Sequence, residues 1–307
     1  MKVTRVLRAA PFLEKVGSLL EADEATNNLP LGILSQRARE PYQGDEERRP
    51  FFAFVEQKGR VTFVMVMTPP HNLIVTGDGE QRKAAGTSTG TLAAGPADES
   101  MAASIDTAIS FLLSEKVLLP GVIGPRDIAT RFASAWSQRT GCAVEVQMDQ
   151  MIYRLDCVTE MAYPPGRLIR ATEEHVDRVA EWTVGFSEVT PERMTFDEAL
   201  EGTRKRIHAE RLYLWRDAVP VSMAWKARTT PHGAIISGVY TPPPLRNRGY
   251  ATACVASLSQ RLLDEGYQFC ALYADLANPI SNSIYRRMGY RPIRASVDYQ
   301  FLTGGHP

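Results

Sequence analysis

The chain has 307 residues, in which 35 Lys and Arg balance 35 Asp and Glu, so its formal net charge is zero. This length is too great for one ordinary small domain, and we expect two domains. A balanced charge provides no whole-chain field that would draw the protein onto nucleic acid or an anionic membrane, so neither is expected as a partner.

Several patterns bear on the cellular compartment and on metals. The sequence has no uninterrupted apolar run of about 18 residues, so no transmembrane helix is expected. Its beginning, Met1–Arg8, is interrupted by charge and does not resemble a secretory signal. The cysteines have no C-x-x-C spacing and the five histidines have no H-x-x-x-H spacing, which favours free thiols over a metal site. We therefore predict a cytoplasmic protein without a bound metal.

Helical and β patterns alternate along the first half of the chain. Apolar residues at helical spacing predict helices, and short β-favouring runs predict strands. The predicted helices are Phe12–Ala25, Glu99–Glu115 and Pro125–Gln138, and the predicted strands are Phe51–Glu56, Arg60–Met67, Asn72–Thr76 and Leu118–Ile123. Two further segments, Ala143–Met148 and Met151–Cys157, are predicted to form paired strands. The Gly-rich and Thr-rich segment Gly77–Pro96 is predicted to be a loop.

A Pro-rich segment, Tyr163–Gly166, is the predicted linker, after which the alternating pattern begins again. It places one domain at residues 1–162 and a second at residues 166–307. The second-half predictions are strands at Leu168–Ala171, Leu212–Trp215, Val219–Ala227, Ile235–Tyr240, Phe269–Ala274 and Arg291–Phe301, and helices from Thr172, at Pro191–His208, from Ala251 and after Asn278.

One stretch of the second half predicts an anion site. The strand Ile235–Tyr240 must end at Pro242–Pro244, because proline cannot donate to a strand ladder. Arg246, Arg248 and Gly249 then precede a helix whose first N–H groups have no intrahelical partner and carry the positive end of the dipole. Guanidinium groups beside such a helix start are suited to a phosphate or pyrophosphate. The alternative is a solvated surface turn without a ligand.

Two motifs in this region resemble those of a known superfamily. Arg246, Gly249 and Ala251 form R-x-x-G-x-A, which is similar to the acyl-CoA pyrophosphate signature of the GNAT N-acetyltransferases. Asn278–Tyr290 resembles the second signature of that superfamily. The resemblance is clear for Gly166–Phe301 and faint for the first half. It implies an α/β (α+β) protein with two GNAT-like domains, each a mixed, mostly antiparallel sheet flanked by helices.

The two halves echo each other, which predicts a duplicated unit. Thr68–Val75 resembles Thr230–Ile236, and Gly124–Gly141 occupies the position that Asn278–Gly289 holds in the second half. We interpret the first copy as degenerate: Lys83–Gly86 is a poor substitute for the basic turn, and Phe132 or Trp136 stands near the position of Tyr285. Chance similarity between two α/β segments is the alternative.

The resemblance implies acetyl-CoA as co-substrate. It assigns the pyrophosphate to Arg246 and to the backbone N–H groups of Asn247–Thr252, and the pantetheine amides to the end of the preceding strand, where an extended ligand adds to a strand edge. Asn278 would bind the pantetheine arm, cap the next helix, or do both. The candidate cofactor-binding residues are Val239, Tyr240, Thr241, Arg246, Asn247, Arg248, Gly249, Tyr250, Ala251, Thr252, Asn278, Ser281, Asn282 and Tyr285.

Tyr285 is the candidate catalytic residue. When an amine attacks the thioester, a CoA thiolate leaves, and a nearby phenol can donate a proton to it. The alternative is that Tyr285 only packs beside Ile284 and Met288. A general base is also needed, because the amine must lose a proton. The candidates have no motif behind them, and none is assigned; they are Glu188, His208, Glu210 and Asp275.

These features predict an N-acetyltransferase that moves an acetyl group to a primary amine of a small molecule or peptide. Two alternatives remain open: a CoA-binding regulatory module without turnover, and an N-acyltransferase that uses a longer acyl chain. Fold-level likeness does not transfer a substrate, so the acceptor stays unassigned. The protein is expected to be a monomer or a homodimer.

Overall fold

The computed structural model describes residues 1–40, 42–45, 48–78, 96–190 and 193–302. The chain divides into two compact units: Met1–Asp149 with Arg294–Pro307, and Gln150–Ile293. Within the described ranges, no helix combines the length and the apolar composition that crossing a membrane requires. The predicted loop Gly77–Pro96 falls mostly outside the described residues, and its Lys83–Gly86 segment falls outside them entirely.

The first series of elements runs from residue 2 to residue 155. It comprises β1 Lys2–Val6, α1 Ala9–Ala22, α2 Asn28–Arg39, β2 Phe51–Gln57, β3 Arg60–Met67, β4 Leu73–Gly77, α3 Pro96–Ser114, β5 Gly121–Pro125, α4 Arg126–Thr140 and β6 Ala143–Leu155.

The second series repeats the order of the first: a strand, two helices, three strands, a helix, a strand, a helix and a strand. It comprises β7 Arg167–Arg170, α5 Val176–Ser187, α6 Phe196–His208, β8 Leu212–Asp217, β9 Val219–Thr229, β10 Gly233–Tyr240, α7 Tyr250–Asp264, β11 Phe269–Asp275, α8 Pro279–Arg287 and β12 Arg291–Leu302. Short 3₁₀ helices at Glu173–His175 and Pro243–Leu245 precede α5 and α7.

Each unit contains a mostly antiparallel sheet with one parallel pair. In the first unit, β1 to β4 pair antiparallel in chain order and β4 pairs parallel with β5. In the second unit, β7 to β10 pair antiparallel in chain order, and β10 pairs parallel with β11. The parallel pair therefore lies at the same place in both series.

The last strand of each series pairs with a strand of the other series. β6 pairs antiparallel with β11 of the second unit through Gln150–Leu155, and β12 pairs antiparallel with β5 of the first unit through Ser296–Gln300. The paired part of β6, Gln150–Leu155, thus belongs to the second unit, and the paired part of β12, Ser296–Gln300, belongs to the first. Turn residues can indicate a linker from the local sequence. The strand with which another strand pairs depends on contacts between residues that are distant in sequence.

One secondary-structure prediction was wrong. Ala143–Met148 and Met151–Cys157 do not form a pair of strands, because β6 runs through both without interruption from Ala143 to Leu155. Asp149 and Gln150, which separate the two segments, include no glycine or proline that would favour a reversal of the chain.

Helices cover both faces of the sheet in the second unit. Ala253, Leu258 and Leu262 of α7 pack in one core with Ala234 and Ile236 of β10. The other core joins residues of α5 and α6 to the opposite face of the sheet, and its members include Val179, Ile207, Met223 and Trp225. Alternate residues of β10 thus face α7 on one side and α5 on the other.

Candidate active site

The parallel strands β10 and β11 are paired over only part of their length. Gly233–Ile235 pair with Phe269–Ala271, and these are the three paired positions of this ladder. Beyond them β10 continues to Tyr240 and β11 to Asp275. Within these fully described strands, Ile236–Tyr240 have no ladder partner in β11, so backbone groups at this edge are open to an extended ligand.

A β-bulge lies in the same part of β10. Ser237 pairs with Trp225 of β9 and Tyr240 pairs with Met223, so two residues of β10 oppose one residue of β9. Gly238, within the bulge, has φ +62°, and a Cβ there would lie 2.0 Å from the Trp225 ring. Glycine is required at this position because a side chain would be strained and would also collide with the indole.

The basic turn after β10 has the geometry of an anion site. Asn247 and Gly249 both have left-handed φ values, +62° and +79°. Gly249 is the N-cap of α7 and provides no side-chain cap, so the first N–H groups of the helix lack a capping acceptor. Arg246 and Arg248 on this turn are exposed. The predicted residues of this turn therefore lie together at the start of α7.

Protein contacts hold the turn in place. Arg246 Nε donates to the Thr241 carbonyl at 3.0 Å, and its guanidinium lies 5.8 Å from the centre of the Tyr240 ring. Arg248 Nη2 donates to the Pro244 carbonyl at 3.4 Å. The guanidinium groups thus reach back over the end of β10 and the turn.

Two of the predicted cofactor-binding side chains point into the protein. The Thr241 hydroxyl is buried and donates to Ser222 Oγ at 2.9 Å. The Tyr250 hydroxyl donates to Asp217 Oδ2 at 2.8 Å, and this hydrogen bond raises the pKa of Tyr250. What Tyr250 offers to a ligand is its backbone N–H, while its side chain ties the start of α7 to the end of β8.

The second signature, Asn278–Tyr290, contains the whole of α8 and the residue that caps its start. Asn278 is exposed and caps the helix, its Oδ1 accepting from the Ser281 N–H at 3.1 Å. The Asn282 amide nitrogen donates to the carbonyls of Asp275 and Asn278, both at 2.7 Å, and its oxygen accepts from the Tyr153 hydroxyl at 2.8 Å. Asn282 therefore braces the connection between β11 and α8.

Tyr285 has a buried ring and an unpartnered hydroxyl. The side chain is 8% exposed, and its ring centroid lies 6.1 Å from that of Tyr153 and 6.0 Å from that of Tyr290. Tyr153 donates to Asn282 and Tyr290 is hydrogen-bonded to Ser259 at 2.8 Å, whereas the hydroxyl of Tyr285 has no hydrogen-bond partner among the described residues. Burial raises the pKa of Tyr285 to about 12, so the phenol stays protonated at neutral pH.

The two signatures meet in one apolar cluster. Tyr285 and Tyr250 are buried members of this core, and Val239 of β10 packs against it. The side chain of Tyr240 belongs to the opposite core, where a Cβ on Gly185 of α5 would lie 2.5 Å from the Tyr240 hydroxyl oxygen. The strand end before the turn is therefore held from both faces.

The four candidate bases lie at different ends of the sheet. His208 and Glu210 precede β8, at the end where β10 begins and away from the basic turn. His208 Nδ1 lies 3.6 Å from a carboxylate oxygen of Glu173, and Glu210 forms an ion pair with Arg170. Glu188 follows α5, three residues after Gly185. Asp275 ends β11, and its carboxylate accepts from the Ala277 N–H at 2.8 Å. Only Glu188 and Asp275 are at the end that carries the turn.

Three residues at the site were not singled out from the sequence: Trp225, Gly238 and Tyr273. Trp225 contacts the bulge, and Tyr273 of β11 lies below the guanidinium of Arg228 at 5.9 Å. A glycine inside a β-favouring run, as at Gly238, is a signal for a bulge.

Among the described residues there is no group of three or more His, Cys, Asp or Glu that could hold a metal ion.

Comparison with known proteins identifies the fold. Residues 216–298 match a family model described as FR47-like protein. A search of curated proteins finds no match.

Solved structures are similar along the whole chain. A GCN5-related N-acetyltransferase from Sphaerobacter thermophilus is 14% identical with a TM-score of 0.61, over 99% of this chain and 97% of that one. A GNAT-family acetyltransferase from Colwellia psychrerythraea is 10% identical with a TM-score of 0.55, over 98% and 99%. A tandem GNAT protein from the clavulanic acid biosynthesis pathway is 14% identical with a TM-score of 0.51, over 100% of both chains. At these identities the likeness shows the fold, and it confirms the predicted fold class.

Proposed function

Because this chain has the GNAT acetyltransferase fold over its full length, with an FR47-like domain in its C-terminal half, we propose that it is an acetyl-CoA-dependent N-acetyltransferase. The acceptor would be the primary amine of a small molecule or peptide. The observation that carries this proposal is the coincidence, in one unit, of the opening between β10 and β11, the basic turn at the start of α7, and Tyr285.

The residues present fit the three parts of acetyl-CoA. Arg246 and the uncapped N–H groups at the start of α7 would hold the pyrophosphate. The open edge of β10 would pair with the pantetheine amides, as strand edges pair with extended peptides. The bulge at Gly238 leaves a residue unpaired beside this edge, and its backbone is suited to orient the thioester carbonyl.

Tyr285 is the proposed proton donor. Acetyl-CoA supplies a thioester, which the amine attacks directly while CoA departs as a thiolate. Tyr285 Oη would donate a proton to the departing sulfur. Its raised pKa keeps that proton available at neutral pH, and the absence of a hydrogen-bond partner among the described residues leaves the hydroxyl available for it.

We assign this chemistry to the second unit alone. Tyr285 is the seventh residue of α8, counted from Pro279, and the seventh residue of α4, counted from Arg126, is Phe132. Phe132 is fully buried and stacks on Trp136 and Phe63. A phenylalanine has no proton to donate, which supports a degenerate first copy.

Free thiol released from acetyl-CoA, measured with a panel of amines, amino acids, polyamines and aminoglycosides, tests the proposal. Amine-dependent release of thiol is the expected result. CoA binding without release for any amine would instead indicate a regulatory module. Faster release from longer acyl-CoA donors than from acetyl-CoA would indicate an N-acyltransferase of a different chain length.

A further inference from the structure

Two polar side chains one turn apart on α6 each have a buried atom without a hydrogen-bond partner among the described residues. Thr203 is fully buried, and its Oγ1 has no partner among the described residues. The same is true of the enclosed Nη1 atom of Arg206. Residues three positions apart share a helix face, so both orphan groups belong to the same side of α6. Thr203 and Arg206 together are called the orphan pair.

The surroundings of Arg206 make an unpaired charge costly. Its guanidinium lies 4.2 Å from the centre of the Trp225 ring, and the Phe186 ring meets the same indole edge-on at 5.6 Å. Burial lowers the pKa of Arg206. Stacking on the indole offsets part of the desolvation, but it satisfies no N–H group. A buried donor without a partner is unfavourable, so these groups are suited to an anion that supplies the missing acceptors.

The orphan pair lies beside the proposed reaction centre. Trp225, on which Arg206 stacks, also contacts the bulge at Gly238. It pairs with Ser237 just beyond the point where β10 and β11 separate. Trp225 belongs to the core under α5 and α6, on the face of the sheet opposite α7. An acceptor that approaches from the α5 and α6 face would meet the bulge with one end and Arg206 with the other.

We propose that Arg206 and Thr203 bind a carboxylate of the acceptor, so that the substrate is an amine that carries an acid group. This inference rests on the proposed acetyltransferase function. A planar carboxylate matches the fork of a guanidinium, and the Thr203 hydroxyl can donate to it as well. Because Arg206 and the bulge at Gly238 each contact the Trp225 ring, we expect an acceptor that reaches both to hold its amine and its carboxylate farther apart than an α-amino acid does.

The test compares KM for acid and amide forms of one amine. The probes are glycine, 4-aminobutanoate and 6-aminohexanoate, each beside its carboxamide, with thiol release from acetyl-CoA as readout. The variants are Arg206→Met and Thr203→Val. Arg204→Met is the matched control, because Arg204 lies on the same helix but is exposed.

For the wild type, KM should be lower for the longer acids than for their amides and for glycine. Arg206→Met should raise KM for the acids by about 10- to 100-fold and leave KM for the amides unchanged, because only the acids lose a charge-assisted bond. Thr203→Val should also raise KM for the acids, while its thermal stability stays equal or increases, because an unsatisfied hydroxyl is removed. Arg204→Met should behave as the wild type.

Equal KM for acids and amides in the wild type, or equal changes for both in Arg206→Met, would overturn the inference. If no amine causes the release of thiol, the proposed acetyltransferase function is refuted. The carboxylate site at the orphan pair is then tested on its own, by measuring whether 6-aminohexanoate raises the thermal stability of the protein. Stabilisation of the wild type that Arg206→Met abolishes would support a carboxylate site. No stabilisation of the wild type would refute it.

Discussion

Replacing Tyr285 by Phe should separate the chemistry of this residue from its packing. The substitution removes one oxygen and keeps the ring between Tyr153 and Tyr290. General-acid contributions are typically about 10²–10⁴-fold, and a CoA thiolate is already a fair leaving group. We therefore expect kcat to fall by about 10²-fold, which corresponds to about 2.7 kcal/mol of transition-state stabilisation.

Binding and stability should change little in the same variant. The Tyr285 hydroxyl has no hydrogen-bond partner among the described residues, so its removal breaks no bond inside the protein. CoA affinity should stay within a few-fold, because the hydroxyl acts once charge has formed on sulfur. Tyr290→Phe is the matched control. It loses the 2.8 Å bond to Ser259, so the free energy of unfolding should fall by about 0.5–1.5 kcal/mol while kcat stays unchanged.

The pH dependence of turnover provides a second check on Tyr285. A general acid must be protonated, and burial raises the pKa of Tyr285 from its ordinary value of 10.0 to about 12. Turnover that depends on this proton should persist as the pH passes 10 and be lost as it rises through about 12. Single-turnover measurements, in which the chemical step limits the rate, should show both effects. Unchanged kcat for Tyr285→Phe under these conditions would reduce Tyr285 to a packing residue.

Three further substitution and labelling experiments test other parts of the site. Arg246→Ala should weaken CoA binding by about 10- to 100-fold through the loss of a charge-assisted hydrogen bond, and wild-type affinity by calorimetry would exclude the turn as the phosphate site. Gly238→Ala should lower the free energy of unfolding by more than Gly141→Ala. Both glycines have positive φ, but only a Cβ at Gly238 would collide with Trp225. Equal losses of unfolding free energy in denaturant titrations would argue against the bulge geometry. Thiol labelling at pH 8 should modify the exposed Cys157 of the native protein rapidly. Burial raises the pKa of Cys254 and Cys270 to about 12, so these two thiols should be labelled only after unfolding, and their fast labelling in the native protein would contradict their burial.

Local patterns were sufficient to predict the elements that build the site. Pro242–Pro244 end β10, and α7 begins at Tyr250, one residue before the predicted Ala251. These signals act within a few residues, through the missing N–H of proline and through helical spacing of apolar side chains. β6 and β12 show the limit of such signals. β12 was predicted as one strand and β6 as two, and the strand partner of each lies in a segment more than a hundred residues away.

The side-chain partners at the site depended on the same long-range contacts. Both signatures were located from the sequence, yet the motifs alone do not show that Tyr153 is the partner of Asn282 or that Asp217 is the partner of Tyr250. These pairs are 129 and 33 residues apart along the chain. Arg206 lies in a charged helical segment that has the composition of a solvated face. Only the fold places its guanidinium on Trp225, beside the bulge.

Calorimetric titration of the wild-type chain with CoA tests the central claim most directly. The basic turn and the uncapped start of α7 belong to the second unit, and we assign CoA binding to this unit alone. The account predicts one CoA per chain, with an affinity that Arg246→Ala reduces. Two equivalent sites per chain, or no binding, would contradict it.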